Sequence, residues 1–275
     1  MKKPKFLTSD EEKEIILLYQ QGETLVKLGK RFNVNFGTVQ HVLKRKNIDR
    51  RPPTVTSRKY YWNHKFFADI TTEHQAYWLG FLLADGNVFK QFDRSYLQVS
   101  LSLKDIEHLQ KLAQDLGESP RTVHTYHYPN LDIARLVVYS TRIASDLERY
   151  GINIKPRIFP DIPCNLCPHI IRGYFDGDGS IGIGILASGK EYQHLTFQTN
   201  DVDVLRKINK FISENCNLNL KRLRFYKRNP NAPILTWTGK NEIKKVYRYL
   251  YANSTIYLNR KANLLAGLYP KEVNK

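Results

Sequence analysis

Two short stretches restrict this chain more than anything else in it: Trp78-Leu79-Gly80-Phe81-Leu82-Leu83-Ala84-Asp85-Gly86 and Ile171-Arg172-Gly173-Tyr174-Phe175-Asp176-Gly177-Asp178-Gly179. Each is an apolar, helix-like run ending in Asp-Gly, and each carries two small residues four positions apart, Gly80 with Ala84 and Gly173 with Gly177. Residues four apart share a helix face. Both helices therefore have a bare stripe along which a second backbone approaches closely, as small-residue motifs allow elsewhere. Packing the two stripes together brings the C-terminal ends, and so Asp85 and Asp178, to one place. Asp-Gly at a helix end reads most simply as a turn with a left-handed glycine. Acids are disfavoured there by the helix dipole, so two of them at matched ends ask for a bound cation.

The stretches head two copies of one unit. After each comes a β-rich stretch, a helix (105–116 and 201–212), a second β-rich stretch and a further helix. An offset of 96 places Ile106 on Val202 and Leu109 on Leu205, and likewise Gln98 on His194, Ser100 on Thr196 and Ser102 on Gln198. A repeat of this length implies two pseudo-symmetric halves in one fold rather than a solenoid. Asp105 and Asp201 open the matched helices and are expected to cap them.

The strands alternate with period two. Leu97, Val99, Leu101 and Leu103 oppose Tyr96, Gln98, Ser100 and Ser102; Leu195 and Phe197 oppose His194, Thr196 and Gln198; Leu223 and Phe225 oppose Arg222, Arg224, Tyr226 and Arg228. Such strands form sheets with one face on helices and one in water. The outward set is rich in Arg, Gln, His, Tyr, Ser and Thr and lacks acids. These side chains contact phosphates and base edges, so Gln98, Ser100, His194, Gln198, Arg222, Arg224 and Arg228 are the expected nucleic-acid contacts.

Charge favours the same partner. The 275 residues carry a net charge of +17, which selects polyanions. An anionic membrane surface is the competing choice, but the sequence has neither a long apolar run nor a lone basic amphipathic helix. The N-terminus is basic yet runs into Glu11 and Glu12, unlike a signal peptide. Three cysteines are odd in number and fit a reducing compartment. Cys164 and Cys167 lack the second ligand pair that a zinc site needs.

Residues 8–48 read as three short helices. Thr8-Ser9-Asp10 with Glu11 and Glu12 is an N-terminal cap signature, and Gly22 ends the first helix. Val39, Val42 and Leu43 face inward on the third, whose other face carries Gln40, His41, Lys44, Arg45 and Lys46. The pattern resembles the resolvase-type helix-turn-helix, whose second motif helix lies in the major groove; a small bundle that binds protein is the alternative. Residues 50–59, with two prolines amid polar and basic residues, read as a linker. The domains are thus 1–49, a linker at 50–59, and 60–275 with halves at about 60–160 and 161–275.

The two Asp-Gly helices, their matched downstream elements and the late segment Tyr257-Leu258-Asn259-Arg260-Lys261 together resemble the two-motif, single-chain LAGLIDADG homing endonucleases, over residues 60 to 268. The resemblance implies an α+β fold of two αββαββα-type halves with a DNA-facing antiparallel sheet saddle, joined here to an all-α helix-turn-helix domain. It implies site-specific, metal-dependent hydrolysis of double-stranded DNA at a long target. Asp85 and Asp178 would be the metal-binding and catalytic acids, with Mg2+ or another divalent cation, and Lys240 the basic residue near the scissile phosphate. Asp176 is left out of that set. A monomer is expected because both halves lie in one chain, in an intracellular setting. Two relatives of this kind lack that simple role: regulators that have lost cleavage, which tend to lose the acid pair kept here, and RNA-splicing maturases.

Overall fold

The computed structural model describes residues 7–49, 62–91, 94–185, 187–226 and 229–269. The chain divides into two compact units, Met1–Tyr60 and Tyr61–Lys275. The 50–59 segment, expected as a linker, and Arg228, expected on the polar sheet face, lie outside the described residues. No helix among the described residues is long and apolar enough to cross a membrane.

The first unit holds helices α1 (Ser9–Gln20), α2 (Leu25–Arg31) and α3 (Phe36–Arg45). Its boundaries are set by local chemistry. Thr8 and Glu11 form a reciprocal capping box, Glu11 N donating to Thr8 Oγ1 at 3.3 Å and Thr8 N to Glu11 Oε2 at 2.8 Å. Asn35 caps α3 by accepting from Gly37 N at 2.9 Å. Ile15, Tyr19, Leu28, Phe32, Val39, Val42 and Leu43 close one small core.

The second unit repeats one order twice. The first half is α4 (Glu73–Asp85), β1 (Gly86–Gln91), β2 (Arg94–Ser102), α5 (Ile106–Asp115), β3 (His124–Tyr128), β4 (Leu131–Val138) and α6 (Thr141–Arg149). The second is α7 (Cys167–Asp178), β5 (Ser180–Ile185), β6 (Glu191–Gln198), α8 (Val202–Cys216), β7 (Arg224–Tyr226), β8 (Asn229–Trp237) and α9 (Lys240–Tyr251), followed by α10 (Asn259–Leu268). The antiparallel sheets run β1-β2-β4-β3 and β5-β6-β8-β7. This is the expected α+β pair of αββαββα halves. Leu97, Val99, Leu136 and Val138 in one sheet, and Leu195, Phe197, Leu235 and Trp237 in the other, are fully buried on the helix side.

Between the halves lie α4 and α7. From Ala76 to Leu83 every residue of α4 is buried, as in a helix surrounded by protein. The approach is backbone to backbone. A Cβ on Gly80 would stand 2.0 Å from Ile170 O, one on Gly173 would stand 2.0 Å from Tyr77 O, and one on Gly177 would stand 2.4 Å from Ala84 Cβ. Gly86 and Gly179 then release the chain directly into β1 and β5. Their φ values are −81° and −76°, so the left-handed turn that Asp-Gly suggests does not form. Glycine is needed for space instead, since a Cβ would meet Leu82 O at 2.6 Å and the Phe175 ring at 2.2 Å respectively.

Two sequence expectations are corrected. Asn87 opposes Gln98 as Ser180 opposes Thr196, so the true strand offset is 98 (Thr196 for Gln98), not 96. The helices that follow, α5 and α8, keep 96 (Ile106 and Val202), and the first half takes up the difference before α5, where it has a short 3-10 turn at Leu103–Asp105. An even slip leaves every side chain on its face, which is why polar still matched polar. Phe225 does not point into the core. It is 58% exposed, because β7 is a three-residue edge strand with an irregular register against β8.

The Gly80/Gly173 contact generates a stability prediction. Gly173→Ala should destabilise the second unit by about 3 kcal/mol, as an overpacked site does where backbone rather than a flexible side chain must yield. Urea unfolding of the two proteins checks it; an unchanged midpoint would mean that α4 and α7 do not touch along this stripe.

Candidate active site and sheet face

Asp85 is the last residue of α4 and Asp178 the last of α7, so the crossing of the two helices sets the carboxylates together. A Cβ on Gly177 would lie 3.1 Å from Asp85 Oδ2, which places the Asp85 carboxylate over the end of the opposite helix. Burial first, and repulsion from Asp178 second, push Asp85 up to about 6 against the pull of Lys261 and Arg157. Burial likewise raises Asp178, with Arg157 and Lys261 opposing. A pair of desolvated, mutually repelling acids lacks positive charge.

The chain supplies part of that charge itself. Lys261 of α10 is 5% exposed. Its Nζ donates to the carbonyls of Phe175 (2.6 Å), Asp176 (2.8 Å), Gly177 (3.3 Å) and Gly179 (2.5 Å). They cluster at the C-terminal end of α7, where the dipole favours a cation; of them Phe175 O also accepts from Gly179 N at 2.8 Å. Burial draws the ammonium down to about 8, while Asp176 holds it up. Sequence reasoning assigned Lys261 no part in the site. A signal was present: it falls three residues after Leu258 and four before Leu265, both buried, so a lysine sits on the apolar face of its helix.

Asp105 and Asp201 are not the caps expected of them. Neither makes a side-chain cap hydrogen bond. Each instead holds an arginine from the other half. The Asp105 carboxylate takes Arg260 Nε at 3.2 Å and Nη2 at 3.0 Å, while Asp201 accepts from Arg157 N at 2.9 Å with Arg157 Nε at 3.9 Å. The tail of each half is thereby fastened to the partner half. Asp176 also acts structurally. It is buried and accepts from Tyr77 Oη (2.8 Å), Tyr251 Oη (2.6 Å) and Leu258 N (2.7 Å). Lys240 opens α9 and is exposed; the strongest positive charges at Asp85 and Asp178 are Lys261 and Arg157.

The outer sheet faces carry most of the expected contact residues. Partners across a sheet share a face, which gives the rows Asn87–Gln98–Val137 and Ser100–Arg135–His124 in the first half. The second half has Ser180–Thr196–Thr236 and Gln198–Ile234–Arg224, and His194 opposes Gly182. Arg135, which sequence reasoning missed, donates from Nε to Ser100 Oγ at 3.1 Å and lies over the Tyr126 ring at 4.7 Å. Arg222 precedes β7 and lines an open groove of about 690 Å³ against α8 with Arg206, Lys210 and Phe225, so it does not join this face. In the first unit His41 and Lys44 are exposed and Gln40 half-buried, whereas Arg45 is engaged by Glu12.

The raised Asp85 makes stability depend on pH. Between about pH 4 and 6 the folded protein keeps a proton that the unfolded chain has released, so stability falls as pH rises through that window. Asp85→Asn removes the charge. In the absence of divalent cations it should be more stable than the parent at pH 7, on the order of 2 kcal/mol, and equal to it near pH 4. Urea midpoints at the two pH values measure this; a variant less stable at pH 7 would contradict it.

No family profile and no curated protein sequence matches the chain. Solved structures do. I-SmaMI bound to an uncleaved DNA target in the presence of calcium ions aligns with a TM-score of 0.51 at 13% identity, over 70% of this chain and 88% of that one. LAGLIDADG homing endonuclease I-GzeII in complex with its DNA target aligns at 0.49 and 14% identity, over 70% and 88%. LAGLIDADG meganuclease I-AabMI bound to uncleaved DNA aligns at 0.49 and 14%, over 72% and 89%. With two Asp-ended helices packed stripe to stripe, each leading into a four-stranded antiparallel sheet, the second unit has the fold of the LAGLIDADG homing endonucleases.

Proposed function

We propose that this protein is a site-specific endonuclease that cleaves both strands of a long DNA target with the help of divalent cations. The observation that carries the reading is the convergence of Asp85 and Asp178, one from each half, at the crossing of α4 and α7. A duplex has two strands of opposite direction, and a pseudo-two-fold pair of acids matches its symmetry with one acid for each scissile phosphate. The outer sheet faces, with Gln98, Ser100 and Arg135 on one and His194, Gln198 and Arg224 on the other, are the surfaces that would follow the groove. The net charge of +17 makes that binding steeply salt-dependent.

The residues present fit a hard cation. Among the described residues no three His, Cys, Asp or Glu side chains gather as a full ligand cage. Magnesium does not need one, since it binds through one or two carboxylates with phosphate oxygens and water completing the shell. The raised pKa of Asp85 and Asp178 marks a local shortage of positive charge that such an ion relieves. When bound there, a divalent cation would polarise the scissile phosphate and lower the pKa of its water. Asp85 and Asp178 would hold the ion, Lys261 fixes the last turn of α7 on which Asp178 rides, and Arg157 would offer a guanidinium to the anionic centre. Lys240 would approach a phosphate from the start of α9. Gln40, His41 and Lys44 on α3 would extend the recognised site in the major groove, and the working form would be a monomer.

The test is cleavage selection on a randomised duplex library with magnesium, followed by assay of variants on the selected site. Asp85→Asn and Asp178→Asn should each abolish double-strand cleavage while retaining binding, and binding tightens or holds because an acid has been removed near phosphate. Asp176→Asn should retain cleavage at temperatures where it is folded, while losing about 1–3 kcal/mol of stability from its three donors. Full cleavage by the Asp85→Asn, Asp178→Asn double variant would remove the two-carboxylate mechanism.

A further inference from the structure

The two sheets are alike in topology but differ in one row. In the first half Phe89 of β1 opposes Tyr96 of β2. Tyr139 lies next to Val138, whose partner is Leu97, and so falls beside Tyr96. The three rings form a continuous ridge from β1 over β2 to the residue that follows β4, with Phe89 stacked on Tyr96 at 5.4 Å and Tyr96 against Tyr139 at 5.3 Å. Phe89 is 41% and Tyr139 66% exposed. In the second half the matching row begins with Gly182 opposite His194. Here the ring lies flat, because a Cβ on Gly182 would meet His194 Cε1 at 3.1 Å, and Tyr192 covers Gly184 in the same way. One half thus raises an aromatic ridge where the other has a low floor.

The ridge needs an occupant. Its sheet face carries Asn87, Gln91, Arg94, Gln98, Ser100 and Arg135 and not one acid among the paired outer positions. That charge complements a polyanion, and the ridge continues the row of Gln98 that leads out from Asp85. In the major groove the apolar feature open to such rings is the C5-methyl group of thymine; every other base edge there presents donors or acceptors that a phenyl ring cannot satisfy. We infer that the Phe89–Tyr96–Tyr139 ridge reads thymine methyl groups in the half-site bound by the first sheet, and that the second sheet makes no equivalent demand. The inference rests on the endonuclease reading above and adds to it an asymmetry of the target. Phe89 and Tyr139 are specificity-determining residues in this reading, and Tyr96 supports them.

The experiment uses the full chain and duplexes selected by it from a randomised library, with thymines replaced by deoxyuridine one at a time. Uracil keeps the pairing and the O4 acceptor and lacks only the methyl group. At one or two thymines the replacement should weaken binding roughly fourfold, the worth of one buried methyl. Phe89→Ser, an exposed site whose change should leave thermal melting unaltered, should erase that difference, while His194→Ala should preserve it. The inference is overturned if no uracil replacement changes affinity, or if the sensitive thymines stay sensitive in Phe89→Ser. If the parent sediments as a dimer that Phe89→Ser dissociates, and its sites are indifferent to uracil, the ridge is a protein interface. If the chain selects no duplex at all, the endonuclease reading itself falls; selection of thymine-indifferent sites removes only the ridge.

Discussion

Everything in the second unit hangs on two backbones that touch. At Gly80 and Gly173 there is no room for a single carbon atom between α4 and α7. This contact fixes the separation of the halves, and because each helix ends in an acid and continues straight into the first strand of its sheet, it also fixes where the acids and the sheets begin. A wider crossing, with alanine at either position, would part the carboxylates and displace the starts of β1 and β5 at the same time. The site and the sheet faces are therefore two outcomes of one packing choice.

Polar groups lock that crossing from the outside. Arg172 of α7 is wholly buried and spreads its donors over Glu73 at 2.6 Å, Leu250 O at 2.8 Å and Ile256 O at 3.0 Å. Asp176, one turn on, gathers Tyr77, Tyr251 and the chain at Leu258. A buried charge is costly unless its hydrogen bonds are made, and here each is made to a different element. Removal of one partner would leave the others unsatisfied, so these groups specify a single arrangement of α4, α7, α9 and the segment before α10.

Much of this was legible from the residues. The spacing of Gly80, Ala84, Gly173 and Gly177 announced a close helix pair, and the alternation of Leu97, Val99, Leu195 and Phe197 announced sheets with one buried face. Both signals are local and periodic, and periodicity survives in a sequence. What the residues do not carry is long-range. Asp105 and Asp201 look like caps because helix starts usually need one, yet their carboxylates are claimed by Arg260 and Arg157 from the opposite halves. Phe225 alternates like a core residue, but nothing in the local pattern shows that no helix covers that edge. Arg135 joins the polar face only through the pairing of β4 with β2 at Ser100, a relation between strands that no local pattern carries.

Lys261 has a consequence in time. A chain leaves the ribosome from its N-terminus, so α4, α7 and both acids exist before α10 does. Until α10 arrives, the last turn of α7 keeps four carbonyls and two neighbouring carboxylates without their buried ammonium. The end of α7 then lacks its buried cation, and a helix made well after it is the one that supplies it. A nascent chain halted before α10 would contain both acids, already set by the crossing of α4 and α7, and would lack the ammonium that fastens the end of α7.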